Sequence, residues 1–301
     1  MHLFQRTLAK PVIFNGIGVH SGQKVNLTIN PAPTNHGIKF VRTDLPDQPS
    51  VSAHFNMVVD TSLATVIGCD GFIVSTIEHL MACLSGLSID NALVEMDGYE
   101  VPIMDGSAGP FAELVVAAGV QTQDAPRCFF VVNEPIEYRE KDRSICIYPA
   151  DTFKISYRIE FDHPLLKEQT FSLEVNTENF TREIARARTF GFLQEVEYLQ
   201  RYGFAKGGSL DNVIVIDRDA ILNDEGLRFP DEFVRHKILD CVGDFSLLGM
   251  PLLGHVVANK AGHQFNHAFL EKFFANKSCW QTCNHPDVNQ HPAIEAKTLA
   301  I

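Results

Sequence analysis

An excess of positive charge is the first thing this chain lacks. Its 301 residues carry 25 Lys and Arg against 37 Asp and Glu, a formal charge of −12. That excludes the broad basic footprint of a general nucleic-acid binder. A small anionic substrate stays open, because a few local cations hold a phosphate. Long apolar runs are missing too. The longest, Leu247 to Ala258, is interrupted by Gly249, Pro251, Gly254 and His255, well short of the ~18 residues of a membrane span. Met1 to Arg6 does not begin a charged-then-apolar leader, so no secretory signal is expected. The seven cysteines are odd in number and irregularly spaced. Cys279 and Cys283 form no four-ligand zinc array, and free thiols in a reducing cytoplasm are expected. There is no Walker A loop, no zincin His-Glu-x-x-His and no Gly-x-Ser-x-Gly elbow.

What is present is ordinary globular composition, 45% hydrophobic and 21% charged, at a length that suits two domains of ~150 residues. Lys24 to Ile29 alternates with period two, and Gly37 to Arg42 reads as its return strand. Ile77, Leu80, Met81 and Leu84 give one apolar helical face after Ser75. Ser75 and Glu78 have capping-box spacing, and Gly86 supplies a stop. Asn91 to Met96 reads as a strand and Phe111 to Ala118 as a helix. The polar segment Gln121 to Arg127 is expected to separate two domains, 1–124 and 125–280. Strands are expected at Cys128–Val132, Ser144–Tyr148, Lys154–Phe161 and Val213–Ile216. Helices are expected at Glu178–Arg186, from Pro230 at the first helical position, and at Phe265–Ala275. Phe233, Ile238, Cys241, Val242 and Phe245 form the buried face of the second of these. The last residues, 281–301, are expected to be a loose tail. Strands and helices without regular βαβ alternation indicate an α+β fold.

Gly16 to Gly22 superficially resembles a phosphate-binding glycine loop, but an alternating strand follows it rather than a helix, so a hairpin turn is expected. The remaining chemistry lies in metal-ligand pairs. Two ligands at i and i+4 on a helix share one side and can share one metal. His236/Asp240, His263/His267, His267/Glu271 and His291/Glu295 have that spacing. With 37 acidic residues and 12 histidines, roughly two such pairs arise by chance, and His291/Glu295 falls in the polar tail. Two stripes therefore compete: His263, His267 and Glu271 on one helix, and His236, Asp240 and Asp244 on another, opposite its apolar face. Either could be an ordinary solvated face, the second with Arg235 and Lys237 as salt-bridge partners. A third ligand would come from elsewhere, and His79 is the best candidate in the first half. Glu78 beside it suits a general base toward a metal-bound water, or simply closes the capping box with Ser75.

Gly18-Val-His20-Ser-Gly22, Ser75-Thr-Ile-Glu-His-Leu80, Pro102-Ile-Met-Asp-Gly-Ser107, Arg186-Ala-Arg-Thr-Phe-Gly191 and His236-Lys-Ile-Leu-Asp240 together resemble the UDP-3-O-acyl-N-acetylglucosamine deacetylases. These are the zinc amidases that commit Gram-negative bacteria to lipid A synthesis. The resemblance runs from about Gln5 to Trp280 in the family's motif order. It implies two α+β domains of similar topology with helices packed between outer sheets. It also implies one zinc per chain on His79, His236 and Asp240, with a position left for water. The same donor set suits Fe(II), which could occupy the site in the cell. Glu78 is then the general base, His263 a protonated acid or electrostatic partner, Thr189 and Lys237 oxyanion groups, and Asp244 a further catalytic group. The resemblance assigns Phe190 and the insert from about 191 to 213 to an acyl passage. Phe161, Lys260 and Arg143, the last standing where the family carries lysine, are assigned to the uridine diphosphate part. His20 and Gly208 complete the implied substrate contacts. The implied protein is a cytoplasmic monomer acting on a UDP-linked acylated amino sugar; the alternative is a non-catalytic lipid- or nucleotide-binding protein on the same fold.

Overall fold

The computed structural model describes residues 2–284. The alternating pattern of Lys24–Pro31 buries Val25, Leu27 and Ile29 and turns Lys24 and Asn26 outward. This strand pairs antiparallel with Val12–Ile17, so the glycine-rich stretch ends one strand and turns toward the next. Its other neighbour is Ala92–Met96, and Ile38–Arg42 lies beyond that, parallel to it. The expected hairpin return by Gly37–Arg42 is therefore corrected. A parallel neighbour needs a crossover, and the chain from 43 to 91 provides it. Ser50–Ser52 closes this five-stranded sheet. The second half builds a seven-stranded sheet around Leu252–Asn259. That strand is antiparallel to Arg143–Tyr148 and parallel to Phe153–Glu160 and Phe129–Val132.

Among the described residues six α-helices accompany the sheets: α1 (Glu78–Gly86), α2 (Gly109–Ala118), α3 (Thr177–Asn179, a single turn), α4 (Leu193–Arg201), α5 (Glu232–Ser246) and α6 (His263–Ala275). After α3, Phe180–Ile184 is a π-helical turn rather than part of one regular helix to Arg186. The segment read as a polar separator is a strand, Val120–Pro126, paired antiparallel with Phe4–Leu8. Trp280–Cys283 is also a strand, paired with Phe129–Val132, so the stretch taken as tail starts inside a sheet. His291 and Glu295 lie outside the described residues.

One apolar core runs from Phe14, Leu27 and Val94 of the first sheet to Ile145, Ile155 and Val256 of the second. The helices α1 and α5 pack against each other within it, and α5 also packs on Phe153–Glu160 and α6. All of α1 except Ser85 is buried. The apolar face of α5 is buried as expected, but so are His236, Asp240 and Asp244. That stripe is not solvated, because α1 covers it. Close packing rests on Gly243, where an added Cβ would run into the carbonyl of Glu78. Among the described residues no helix is long and apolar enough to cross a membrane.

Candidate metal centre

The N-terminus of α1 carries Glu78 and His79 and packs on α5, with the Glu78 backbone against Gly243, one turn after Asp240. The capping-box expectation fails here. Helix α1 has no side-chain cap, Ser75 faces Thr76, and the Glu78 carboxylate accepts the backbone N–H of Thr65 at 3.0 Å. Glu78 is thereby turned inward. The preceding Thr76 has φ +60°, a left-handed conformation that a β-branched residue rarely adopts. Its hydroxyl donates to Glu100, a buried carboxylate that also accepts the N–H groups of His20 and Ser21. The Gly18–Gly22 turn and the entry to α1 are thus tied to one carboxylate.

Ligand atoms of His79, His236 and Asp240 lie within 4.8 Å of one another. His79 Nε2 stands 3.6 Å and His236 Nε2 3.3 Å from Asp240 Oδ1. Two observations fit a cation. Asp240 Oδ1 is buried without a hydrogen-bond partner. His236 Nδ1 lies 3.0 Å from the Ala187 carbonyl, which fixes the tautomer with Nδ1–H donating and Nε2 bare. Burial pushes the His236 pKa down to about 3, against the pull of Asp240, so the ring is neutral. A bare nitrogen and an unpartnered carboxylate oxygen at this range repel unless a cation lies between them, and two histidines with one carboxylate are a donor set for zinc or Fe(II).

Beside this triad sits an acid–base pair. Burial raises the Glu78 carboxyl above its ordinary range, although His263 and His79 oppose the shift. Its Oε1 is 3.7 Å from His263 Nε2. On the other side of the ring, Nδ1 meets Asp244 Oδ2 at 2.8 Å. Burial works against charge on His263, yet Asp244 and Glu78 outweigh it and push the pKa up to about 10. Asp244 in turn accepts Thr65 Oγ1 at 2.6 Å and Asn266 Nδ2 at 2.7 Å. Neither Thr65 nor Asn266 was singled out in the sequence. A lone Thr and a lone Asn, in no spaced pattern, give no signal there.

Of the two competing stripes, the one on α5 contributes His236 and Asp240 to the group that could hold a metal ion. On α6, His263 contributes to it as neighbour, while His267 is half-buried and Glu271 exposed. Lys237 Nζ donates to Asp240 Oδ2 at 2.9 Å. It also sits 5.7 Å over the Phe190 ring, so it meets the centre through a ligand's second oxygen. Thr189 is held by its backbone, its N–H on Gly106 and its carbonyl on Ile214. Phe190 packs against Phe161, Phe233 and His236. His20 and Gly208 are brought together, because Lys206 and Gly207 donate to the His20 and Val19 carbonyls. Arg143 stacks over Phe265 at 5.5 Å and lines, with His263, a cavity of about 310 Å³. Lys260 is already paired with Asp142 and Glu160.

A buried His₂Asp set with a desolvated glutamate and a charged histidine beside it is the constellation of a metal-dependent hydrolase. Comparison with known proteins agrees. Residues 5–275 match the family model for UDP-3-O-acyl N-acetylglycosamine deacetylase. The chain is 53% identical to the UDP-3-O-acyl-N-acetylglucosamine deacetylase of Myxococcus xanthus, covering 92% of this chain and 88% of that one. It is 49% identical to the enzyme of the same name from Syntrophotalea carbinolica, covering 97% and 94%. With that of Coxiella burnetii it shares 44%, covering 96% of each. The chain belongs to the UDP-3-O-acyl-N-acetylglucosamine deacetylase family.

Proposed function

We propose that this protein hydrolyses the N-acetyl group of UDP-3-O-acyl-N-acetylglucosamine, releasing acetate and leaving a free amine on the sugar, as a step of lipid A synthesis. The observation that carries the reading is the convergence of His79, His236 and Asp240 on one buried point beside Glu78 and His263, in a chain of this family. Zinc held by those three ligands would lower the pKa of a bound water toward ~7 and polarise the acetyl carbonyl.

The chain's own residues do the rest. Glu78, made more basic by burial, takes the proton of the attacking water. His263, kept protonated by Asp244, gives a proton to the departing amine. Thr189 donates to the developing oxyanion, and Lys237 holds Asp240 ionised while adding positive charge. The aromatic wall of Phe161, Phe190 and Phe192 adjoins His236. It continues into α4 and the turn after it, where Tyr198, Tyr202, Phe204 and Leu210 are exposed, and this apolar surface receives the acyl chain. His20 keeps a buried Nδ1 without partner, a polar handle for substrate. Gly208, Arg143 and Lys260 serve the nucleotide end, Lys260 by sharing its ammonium with a phosphate. The enzyme works as a cytoplasmic monomer.

Acetate release by the purified protein, with and without a chelator and at two acyl lengths, tests this. Chelator-sensitive release is expected. Absence of release from folded, zinc-loaded protein at both lengths overturns it in favour of a binding protein on the same fold.

A further inference from the structure

Among the described residues the largest fully buried side chain is a cation. Arg188 is 1% exposed, and its partner Glu232 is 0% exposed. The guanidinium makes four hydrogen bonds: Nε and Nη2 donate to Glu232 at 2.9 and 3.2 Å, Nη1 to Glu225 at 2.7 Å, and Nη2 to the Gly226 carbonyl at 2.7 Å. Glu232 Oε1 also accepts the backbone N–H of Arg188 itself at 3.0 Å. Its Oε2 accepts the N–H of Arg228. Desolvating two full charges is expensive, and a well-packed apolar pair often stabilises a core as well or better. The pair calls for a role beyond cohesion.

Its location supplies one. Glu232 is one helical turn before His236 on α5, and Arg188 directly follows Ala187. Two contacts thus cross between α5 and the two ends of a single peptide group: Glu232 accepts the Arg188 N–H, and His236 Nδ1 meets the Ala187 carbonyl. Thr189 is next in the chain and is held in turn by Gly106 and Ile214. A carbonyl on a loop would otherwise be free to tilt. Here its direction is set by a charge-assisted anchor on the neighbouring residue.

We propose that the Arg188–Glu232 pair is a positioning device for the metal centre. It holds the Ala187 carbonyl against His236 Nδ1, which fixes the ring's tautomer and aim. The inference rests on the reading of His236 as a metal ligand.

The test is zinc affinity, measured by competition with a chromogenic chelator, together with thermal unfolding of the metal-free protein. The variants are Glu232→Gln, Arg188→Lys and the double variant Arg188→Met/Glu232→Met. Glu232→Gln turns amide hydrogens toward Arg188 and is expected to weaken zinc binding by about 10–100-fold. Arg188→Lys keeps the charge but loses the planar fork, and should weaken it in the same direction. The double variant removes both charges together. It should recover much of the unfolding temperature lost by the single variants without recovering zinc affinity, which a merely cohesive role would restore. Zinc affinity within twofold of the unaltered protein in the double variant overturns the proposal, whether or not the single variants fold. His236→Ala separates the two readings. If it keeps full zinc affinity, the metal-centre reading falls; if it loses zinc while the double variant does not, only the positioning role falls.

Discussion

Replacing Gly243 by alanine sets local helix preference against tertiary packing. Gly243 lies inside α5, where intrinsic propensity alone favours alanine by about 1 kcal/mol. The structure argues the reverse. An alanine Cβ would press on the Glu78 carbonyl oxygen and stand 2.9 Å from its carbonyl carbon and 3.1 Å from its Cα. These are backbone atoms, so no rotamer change relieves the overlap. Carbon atoms in contact settle at about 3.5–4.0 Å, and the carbonyl oxygen is nearer still, so α1 must retreat from α5 by roughly 1 Å. Overpacking of this kind costs up to about 3 kcal/mol. With propensity offsetting about 1 kcal/mol, the net loss is about 2 kcal/mol, or roughly 3 °C in Tm for a chain of this length. The retreat also moves Glu78 and His79 away from His236 and Asp240. A misplacement near 1 Å lowers turnover by about 10²-fold. Thermal unfolding and acetate release on zinc-replete Gly243→Ala protein read the two effects separately. A Tm equal to or above that of the unaltered protein, with turnover within a factor of two, would refute both the helix contact and its part in aligning the centre.

Glu78→Gln should retain stoichiometric zinc and lose about 10²–10⁴-fold in turnover; near-normal turnover would remove it as the base. Asp240→Ala should lose zinc by metal analysis whereas His267→Ala keeps it, and the opposite pattern would move the centre to the α6 stripe. Asp244→Asn removes the charge that most raises the His263 pKa from 6.5 to about 10, so the alkaline limb of the pH–rate profile should move to lower pH; an unmoved limb would exclude His263 as its source. The same ion pair stabilises the fold fully below pH 6.5 and is lost as pH rises through about 10. Unfolding free energy should therefore fall across that window more steeply in the unaltered protein than in Asp244→Asn.

Most elements could be read from periodicity alone. The strand at Lys24 and the buried face of α5 emerge within a residue or two, because alternation and the 3.6-residue repeat are local properties of the backbone. Pairing was less legible. Ile38–Arg42 was a correct strand with the wrong neighbour, because only the chain's later return as Ala92–Met96 supplies the partner. Glu78 was singled out with two roles, and the capping role failed because Thr65, brought in by a separate strand layer, claims the carboxylate.

The sequence by itself determined the class of elements, the charge balance that disfavours nucleic acid, and a short set of metal-ligand pairs that the resemblance narrowed to one. Spacing alone could not separate the α5 stripe from the α6 stripe, since both repeat every four residues. Tertiary structure brings α1 onto α5 at Gly243, which buries His236 and Asp240 against His79, a convergence that spacing does not show. It also set the chemistry of each group. Thr65 and Asp244 lie 179 positions apart, and Arg188 and Glu232 lie 44 apart. Proton affinities follow from such contacts and from burial, and burial is a property of everything packed around a residue, not of its neighbours in the chain.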